Sequence, residues 1–230
     1  MSKLELVLFS YALPVALFFP QNCFADISPL DQSQFTQSQL DQQTNRHRSE
    51  TVFYGKQKSV SFPVYIDDHS PVNHFFPTGL SGDQSDVIFN LACRQTPHSG
   101  KTCVKIDYKN RCSQGKHWAG MYWQNPAYNW GYKSGGGFNL TCFSMLIFWA
   151  RGEKGGEVID AFASGGGEGD YRDSSKSTIN ATVLTNEWKR YEIDLSGKDL
   201  SSISQGFSWT ANYYRNRDGA VFYLDDICYV

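Results

Sequence analysis

The sequence predicts an all-β fold, an antiparallel two-sheet β-sandwich. The chain of 230 residues combines 15% aromatic residues with 20 glycines and only 19% charged residues, a composition typical of sandwiches and barrels. Nine short strand-like segments follow one another with turn residues between them, and no true helical pattern is present. Nine strands at this spacing fit a jelly roll better than an immunoglobulin fold.

The first 25 residues have the pattern of a secretory signal peptide. Lys3 supplies a positive charge, an apolar run spans residues 6–19, and Ala25 offers a small residue for cleavage. The apolar run is too short for a good membrane span, although a retained N-terminal anchor is the alternative. We therefore expect a secreted or periplasmic protein, cleaved near Ala25, that is not embedded in a membrane.

Residues 26–57 differ in composition from the rest of the chain. Glutamines alternate with Ser, Asp and Thr, and large apolar residues such as Phe35 and Leu40 are few before Val52. Such a segment buries too little apolar surface to offset its ordering entropy. It is predicted to be a Gln/Ser-rich flexible linker, which leaves residues 58–230 as a single β-sandwich domain.

The predicted strands are bounded by turn signals such as residues 134–137, 155–156, 165–167 and 216–219. Their bounds are 60–66, 87–91, 102–108, 118–124, 145–150, 158–163, 187–195, 206–212 and 221–229. The segment 145–150 is almost wholly apolar, as expected for a central strand covered on both faces. Residues 198–203 have a faint helical pattern.

Charge and cysteine content restrict the class of partner. The net charge is −2 and no basic stripe is present, which argues against nucleic acid. Five cysteines remain after cleavage, at positions 93, 103, 112, 142 and 228, and none has zinc spacing. Cys93 and Cys103 flank a turn-like sequence and are the first choice for a disulfide. The odd number leaves a thiol that could bridge chains in an otherwise monomeric protein.

Aromatic residues are concentrated between positions 118 and 130: Trp118, Tyr122, Trp123, Tyr128 and Trp130. Aromatic planes stack on the apolar faces of sugar rings at little entropic cost. Strand alternation places Trp123 with Met121 on one face, predicted to be core, and Trp118 with Tyr122 on the other. We expect Trp118, Tyr122, Tyr128 and Trp130 to bind ligand. The alternative is that all five rings pack inside the protein.

The other tryptophans have separate predicted roles. Trp149, in the most apolar strand, and Trp209 are expected to be structural. Trp188 shares its alternation with Arg190 and Glu192, so it is predicted to be exposed and to contact ligand as well.

Three stretches carry a family resemblance: residues 62–86, residues 97–130, and residues 146–157 together with the C-terminal tail. The most specific parts are the run FWARGEKGGE and the terminal YLDDI. Together they resemble bacterial secreted domains similar to the jelly-roll carbohydrate-binding modules, the galactose-binding-like β-sandwiches. The resemblance implies a non-catalytic, glycan-binding protein. At residues 141–144 and 213–215 the sequence departs from the pattern of this family, so the ligand specificity of the family is not carried over to this chain.

Two acidic pairs, Asp67-Asp68 and Asp225-Asp226, could supply oxygen ligands to Ca²⁺. Asp225 shares parity with Tyr223 and Ile227, so it is expected to point inward and to need a partner. The resemblance implies a structural calcium ion that joins the first and last strands. A salt bridge or hydrogen bonds to loop backbone are the alternatives.

Two other functions compete with carbohydrate binding. The odd cysteine and the linker are compatible with a secreted adhesion or protein-interaction module. A polysaccharide-degrading enzyme would need two carboxylates across a sugar, for which Glu153 with Glu157, or Glu168 with Asp170, are candidates. No metalloprotease motif, nucleophile elbow, P-loop or dinucleotide fingerprint is present, so we expect no enzyme.

Overall fold

The computed structural model describes residues 60–230. The predicted signal peptide and the predicted linker lie outside the described residues. Within the described part, none of the helical segments has the length and hydropathy needed to cross a membrane.

Eleven β-strands and one single-turn 3-10 helix form the described part of the chain. The strands are β1 (Phe62–Tyr65), β2 (Phe76–Gly82), β3 (Val87–Cys93), β4 (Cys103–Tyr108), β5 (Trp118–Gln124), β6 (Met145–Gly152), β7 (Val158–Ser164), β8 (Ser177–Val183), β9 (Lys189–Asp194), β10 (Gln205–Asn212) and β11 (Ala220–Tyr229). The 3-10 turn, Gln84–Asp86, connects β2 to β3.

The strands form two antiparallel sheets. One has the order β3-β4-β11-β6-β9, with β1 added beside β11, and the other has the order β2-β5-β10-β7-β8. The predicted two-sheet sandwich is therefore confirmed.

The core lies between the two sheets and is made by alternate residues of their strands. Trp123 and Met121 on β5 and Trp209 on β10 are fully buried there, which confirms the sequence assignment of all three. From the other sheet, Phe148 and Phe222 face them, and the Trp209 and Phe222 rings pack edge to face at 5.0 Å. Burial of these large apolar side chains is the main stabilising contribution to such a sandwich.

All nine predicted strands are present, but β2 and β8 were not predicted. The segment 198–203 forms no helix. Strand β6 is central, yet only one of its faces belongs to the core, because Leu146, Phe148 and Ala150 are buried while Ile147 and Trp149 are partly exposed. The prediction that both faces of this strand are covered was therefore wrong.

Candidate functional site

A row of small side chains crosses the outer face of the five-stranded sheet. The strand registers pair Ser81 with Gly120, Gly120 with Thr210, Thr210 with Ala161, and Ala161 with Asn180. Their chain neighbours, such as Met121 and Trp209, point into the core. Since successive residues of a strand face opposite sides, this row lies on the outer surface. Of these five residues, Ser81 and Thr210 line the cavities described below.

Gly120 lies between Ser81 and Thr210 in this row, and its lack of a side chain is required. A Cβ atom at position 120 would come within 2.8 Å of the Trp209 backbone oxygen and within 2.9 Å of a Thr210 methyl group. Both distances are shorter than van der Waals contact allows. Larger residues are thereby excluded from this position of β5.

Two cavities lie along the sheet, and Trp118 lines both of them. The first has a volume of about 370 Å³ and is lined in addition by Ser81, Tyr122, Trp130, Tyr132, Gly165, Gly166, Glu168, Lys176 and Gln205. The second has a volume of about 420 Å³ and is lined in addition by Lys116, His117, Asp160, Thr210, Asn212 and Tyr214. The partly exposed Trp118 ring thus connects two parts of one groove, which we call the cleft.

Aromatic rings form one wall of the first cavity. Tyr122 and Trp130 are both partly exposed, and their rings meet edge to face with centroids 5.0 Å apart. Burial and the nearby charge of Glu168 raise the pKa of Tyr122 above its ordinary value. Tyr132 extends this wall with 70% of its surface exposed. The wall is therefore apolar on its ring faces and polar at its hydroxyl groups.

Tyr128 is 69% exposed, but it is not among the residues that line either cavity. Its backbone N–H donates to the Thr78 hydroxyl at 2.8 Å, which places it beside β2. Of the four predicted cluster residues, the structure thus brings Trp118, Tyr122 and Trp130 together at the cleft.

Polar groups without a partner also lie at the cleft. Gln205 is 1% exposed, and its side-chain oxygen has no hydrogen-bond partner. In the second cavity, Asp160 Oδ1 accepts from Asn212 Nδ2 at 2.6 Å and from Arg215 Nε at 3.2 Å, while Oδ2 has no partner. Burial raises the pKa of Asp160. Both oxygens are buried acceptors without a donor, an arrangement that costs stability, and they lie behind the lining of the two cavities.

Trp188 is not part of the cleft. It precedes β9 of the opposite sheet, its indole N–H donates to the Thr96 carbonyl at 2.9 Å, and the Arg151 guanidinium lies 5.4 Å from its ring. Its alternation with Arg190 correctly indicated a partly exposed position. The structure places Trp188 on the sheet opposite the cleft, which alternation within one strand cannot show, so it is not brought together with the aromatic cluster.

Trp149 lies on this same opposite face. It is partly exposed, and His98 stacks on it with ring centroids 3.8 Å apart. Its packing partner is therefore a loop, and it does not contribute to the core between the sheets.

The acidic pairs are occupied by hydrogen bonds from the loop 98–102. Asp225 Oδ2 accepts from the backbone N–H of His98 at 2.9 Å, and Asp226 Oδ2 contacts His98 Nδ1 at 2.6 Å. Asp67 Oδ1 accepts from the Lys101 and Thr102 backbones at 2.8 and 2.7 Å. Asp68 contacts the exposed His69 at 3.5 Å.

These carboxylates do not fit the predicted shared calcium ion. No group of three or more His, Cys, Asp or Glu side chains within residues 60–230 is arranged to hold a metal. Their contacts correspond to the alternative derived from the sequence, hydrogen bonds to loop backbone.

The orientation expected for Asp225 was wrong. Tyr223 and Asp225 face outward, while Ile227 lies in the core, because the register of β11 shifts between Asp225 and Cys228. Asp226 has a positive φ of 47° at this bulge. One extra residue reverses the parity that the sequence argument assumed. Asp225 is nevertheless fully buried, beneath the loop 98–99.

Cys93 and Cys103 are direct register partners on β3 and β4. Both side chains are buried and both thiols are free, so the predicted disulfide is not formed in this structure. Burial and the neighbouring Cys93 raise the pKa of the Cys103 thiol to about 12. Their placement across an antiparallel pair is compatible with the Cα separation of a disulfide.

The carboxylates considered for catalysis have other roles. Glu153 accepts a hydrogen bond from the Tyr223 hydroxyl at 2.6 Å, and Glu157 accepts one from the Lys154 backbone at 2.9 Å. Both line a cavity of about 410 Å³ at the β6–β7 turn, separate from the cleft. Glu168 lines the cleft, whereas Asp170 does not.

Sequence reasoning missed much of the cleft. Lys176 and Gln205 lie far along the chain from the aromatic cluster, and only the strand order brings them to it. Tyr214 was identified as a departure from the family pattern, and it lines the second cavity with 65% of its surface exposed. An outward alternation in β10 was the one available signal for Thr210 and Asn212.

Comparison with known proteins gave matches among solved structures only. No family model matches the sequence, and no curated protein matches it. A family 30 carbohydrate-binding module aligns with 74% of this chain and 98% of its own length, at 14% identity and a TM-score of 0.50. The family 30 module of a cellulosomal cellulase of Clostridium thermocellum aligns with 74% of this chain and 97% of its own length, at 17% identity and a TM-score of 0.47. The first match shows that the chain has the sandwich fold of such a module.

Proposed function

We propose that this protein binds a poly- or oligosaccharide in the cleft and does not cleave it. The observation that carries the proposal is the partly exposed Trp118 ring between two cavities, beside the edge-to-face pair of Tyr122 and Trp130. Aromatic rings exposed beside polar groups without partners match the two kinds of surface that a sugar presents. The fold shared with a family 30 carbohydrate-binding module supports the same function.

The length of the cleft favours an extended ligand. Its two cavities, of about 370 and 420 Å³, share Trp118 as a lining residue, so a sugar chain that fills both is longer than one unit. A sugar chain laid along the cleft would contact the rings at Trp118 and Trp130, while its hydroxyl groups would reach the oxygen atoms of Gln205 and Thr210. We therefore assign the cleft to several consecutive sugar units of one chain.

The carboxylates of the cleft support binding without hydrolysis. Glu168 lines the first cavity and Asp160 the second, so neither cavity contains a pair. Asp160 is also engaged by Asn212 and Arg215. Glycoside hydrolysis uses two carboxyl groups on opposite sides of one scissile bond.

Export of the protein belongs to the same proposal. The signal peptide pattern of residues 1–25 would deliver the domain to a compartment that contains structural polysaccharides. N-terminal sequencing of the secreted protein should begin at Asp26.

Affinity electrophoresis against a panel of soluble polysaccharides tests the proposal, with reducing-sugar release measured in parallel. We expect retardation by at least one glycan and no release of sugar. Trp118→Ala should weaken the affinity about tenfold, since loss of a stacked ring costs roughly 1–1.5 kcal/mol. Trp188→Ala on the opposite sheet is the matched control and should bind as the unaltered protein does. Equal losses in both variants, or no retardation by any glycan, would contradict the proposal.

A further inference from the structure

A second group of aromatic rings lies at the end of the cleft that Tyr122 and Trp130 do not line. Tyr214, on the loop between β10 and β11, lines the second cavity together with His117 and Trp118. The Tyr214 side chain is exposed, whereas Trp118 is only partly exposed. An accessible ring in the wall of a cavity is free to contact a molecule bound there.

The Tyr214 ring packs against two other rings. Its centroid lies 5.5 Å from that of Tyr213, with the ring planes nearly perpendicular, and 5.9 Å from that of His117, with the planes inclined by 32°. Tyr213 and His117 in turn meet edge to face at 5.9 Å. The three rings therefore form one cluster, in which each ring restricts the orientation of the other two.

The backbone is fixed on both sides of Tyr214. On the preceding side, the Tyr213 N–H donates to the His117 carbonyl at 2.9 Å. On the following side, the Arg215 N–H donates to Asn212 Oδ1 at 3.0 Å. A tyrosine side chain has only two rotatable bonds, so a fixed backbone and two packed neighbours leave this ring few other positions.

Arg215 connects the same loop to β7. Its Nε atom lies 3.2 Å from Asp160 Oδ1, and that oxygen also accepts from Asn212 Nδ2 at 2.6 Å. Both side chains of the ion pair are accessible to solvent, at 48% for Arg215 and 22% for Asp160. Ion pairs of this kind contribute little to the stability of a fold. The effect of this pair is therefore expected in the position of the adjacent Tyr214.

We propose that Tyr214 forms an additional sugar-binding position at this end of the cleft and that Arg215 is its positioning residue. The inference rests on the proposed function and adds which residue receives the extension of the sugar chain. The Tyr214 ring offers an apolar face and a hydroxyl group, which match the C–H face and the hydroxyl groups of a sugar unit. Because the ring is held in place before the ligand arrives, little ordering entropy is lost on binding.

This position makes the affinity depend on the length of the sugar chain. Trp118 lines both cavities, so a short oligosaccharide can bind between Trp118 and Trp130 without entering the second cavity. A longer chain that continues past Trp118 reaches Tyr214. Tyr214 therefore contributes to the binding of long chains and not of short ones.

Affinity electrophoresis in gels that contain xyloglucan, galactomannan or mixed-linkage β-glucan identifies a glycan that retards the unaltered protein. Calorimetry with oligosaccharides of that glycan, of increasing length, then tests the proposal. Tyr214→Ser should weaken the affinity for long oligosaccharides about fivefold, since one stacked ring is lost, and should leave the affinity for the shortest one that binds unchanged. Tyr214→Phe keeps the ring and should lose less.

Tyr171→Ser is the matched control for Tyr214→Ser. Tyr171 is also an exposed tyrosine, and it lines neither cavity of the cleft. This variant should bind oligosaccharides of every length as the unaltered protein does.

A double-mutant cycle tests the positioning role of Arg215. Arg215→Met should weaken the binding of long oligosaccharides about twofold to threefold in the unaltered protein and have no effect in the Tyr214→Ser variant. Arg215→Lys keeps the charge beside Asp160 and should retain more affinity than Arg215→Met. A loss of the same size with and without the Tyr214 ring would refute the positioning role.

Three outcomes overturn the role of Tyr214: unchanged affinity of Tyr214→Ser for every oligosaccharide, an equal loss for short and long ones, or the same loss in Tyr171→Ser. The proposed function survives each of them as long as Trp118→Ala weakens binding. If none of the glycans retards the unaltered protein, the proposed function and this inference are both refuted.

Discussion

The buried carboxyl group of Asp225 should make the stability of the protein depend on pH. Asp225 is fully buried on β11, and burial together with the adjacent Asp226 charge raises its pKa to about 7. Hydrogen bonds from the His98, Ser99 and Asp226 backbones oppose this rise without cancelling it. In the unfolded chain the same group has a pKa of about 3.9.

The sign and size follow from the proton linkage. The folded protein holds the Asp225 proton more tightly than the unfolded chain does. The stabilisation that this proton gives to the folded state is therefore complete below about pH 4 and is lost as the pH rises through about 7. A pKa difference of one corresponds to about 1.36 kcal/mol, so a difference of about three corresponds to about 4 kcal/mol of unfolding free energy. About 3 kcal/mol of this is lost between pH 5 and pH 8. That loss is a large share of the stability of a typical domain.

Urea unfolding at constant ionic strength between pH 5 and pH 8 measures this effect. The free energy of unfolding should fall across the range in the unaltered protein, and Asp225→Asn should flatten the slope even if it lowers the stability at each pH. Asp67→Asn is the matched control, because the Asp67 carboxylate also accepts hydrogen bonds from the loop 98–102. Hydrogen bonds from Lys101 and Thr102 lower the pKa of Asp67, so its titration lies below this range. A slope that survives in Asp225→Asn would refute the reasoning.

Three further predictions concern the cleft and the cysteines. Gln205→Met removes an unpartnered buried oxygen and should weaken glycan binding about fivefold to tenfold in calorimetry. The melting temperature should stay the same or rise. A lower melting temperature with unchanged affinity would contradict this prediction. Thr210→Trp should narrow the second cavity of the cleft and reduce binding at least tenfold by the same assay, with little change in urea stability, since Thr210 points outward. Arg190→Trp, at an exposed position of β9 on the opposite sheet, is its control. Mild oxidation should form a disulfide between Cys93 and Cys103, which peptide mass spectrometry detects. The free energy of unfolding should rise by about 2–3 kcal/mol. Cys93→Ser should abolish the disulfide and the gain in stability, and persistence of two free thiols in the unaltered protein would contradict the prediction.

The alternation of apolar and polar residues was sufficient to predict most strands, and the prediction failed where a strand lacks this alternation. Strand β5 was predicted at its observed bounds because its alternation is strong. Strand β2 contains Pro77, Gly79 and Gly82, which read as a loop, and a neighbouring strand makes it extended. Strand β8 is a polar edge strand with few large apolar residues. The bulge at Asp226 was not predictable, since one inserted residue leaves no periodic signal.

The sequence predicted the part of the candidate site that lies within one strand, and it missed the part that depends on which strands are neighbours in the sheet. Alternation within β5 assigned Trp123 to the core and Trp118 to the surface, because both residues belong to one strand. It could not show what lies beside Trp118, which depends on β10 being the neighbour of β5 and on β7 lying next to β10 in the sheet. Residues without large side chains, such as Gly165 and Gly166, also line the cleft, and the search for aromatic residues passed over them. A binding surface of this kind is specified as much by where the sequence omits side chains as by where it places rings. A sequence search for such sites should therefore look for small residues at outward strand positions beside each aromatic pair.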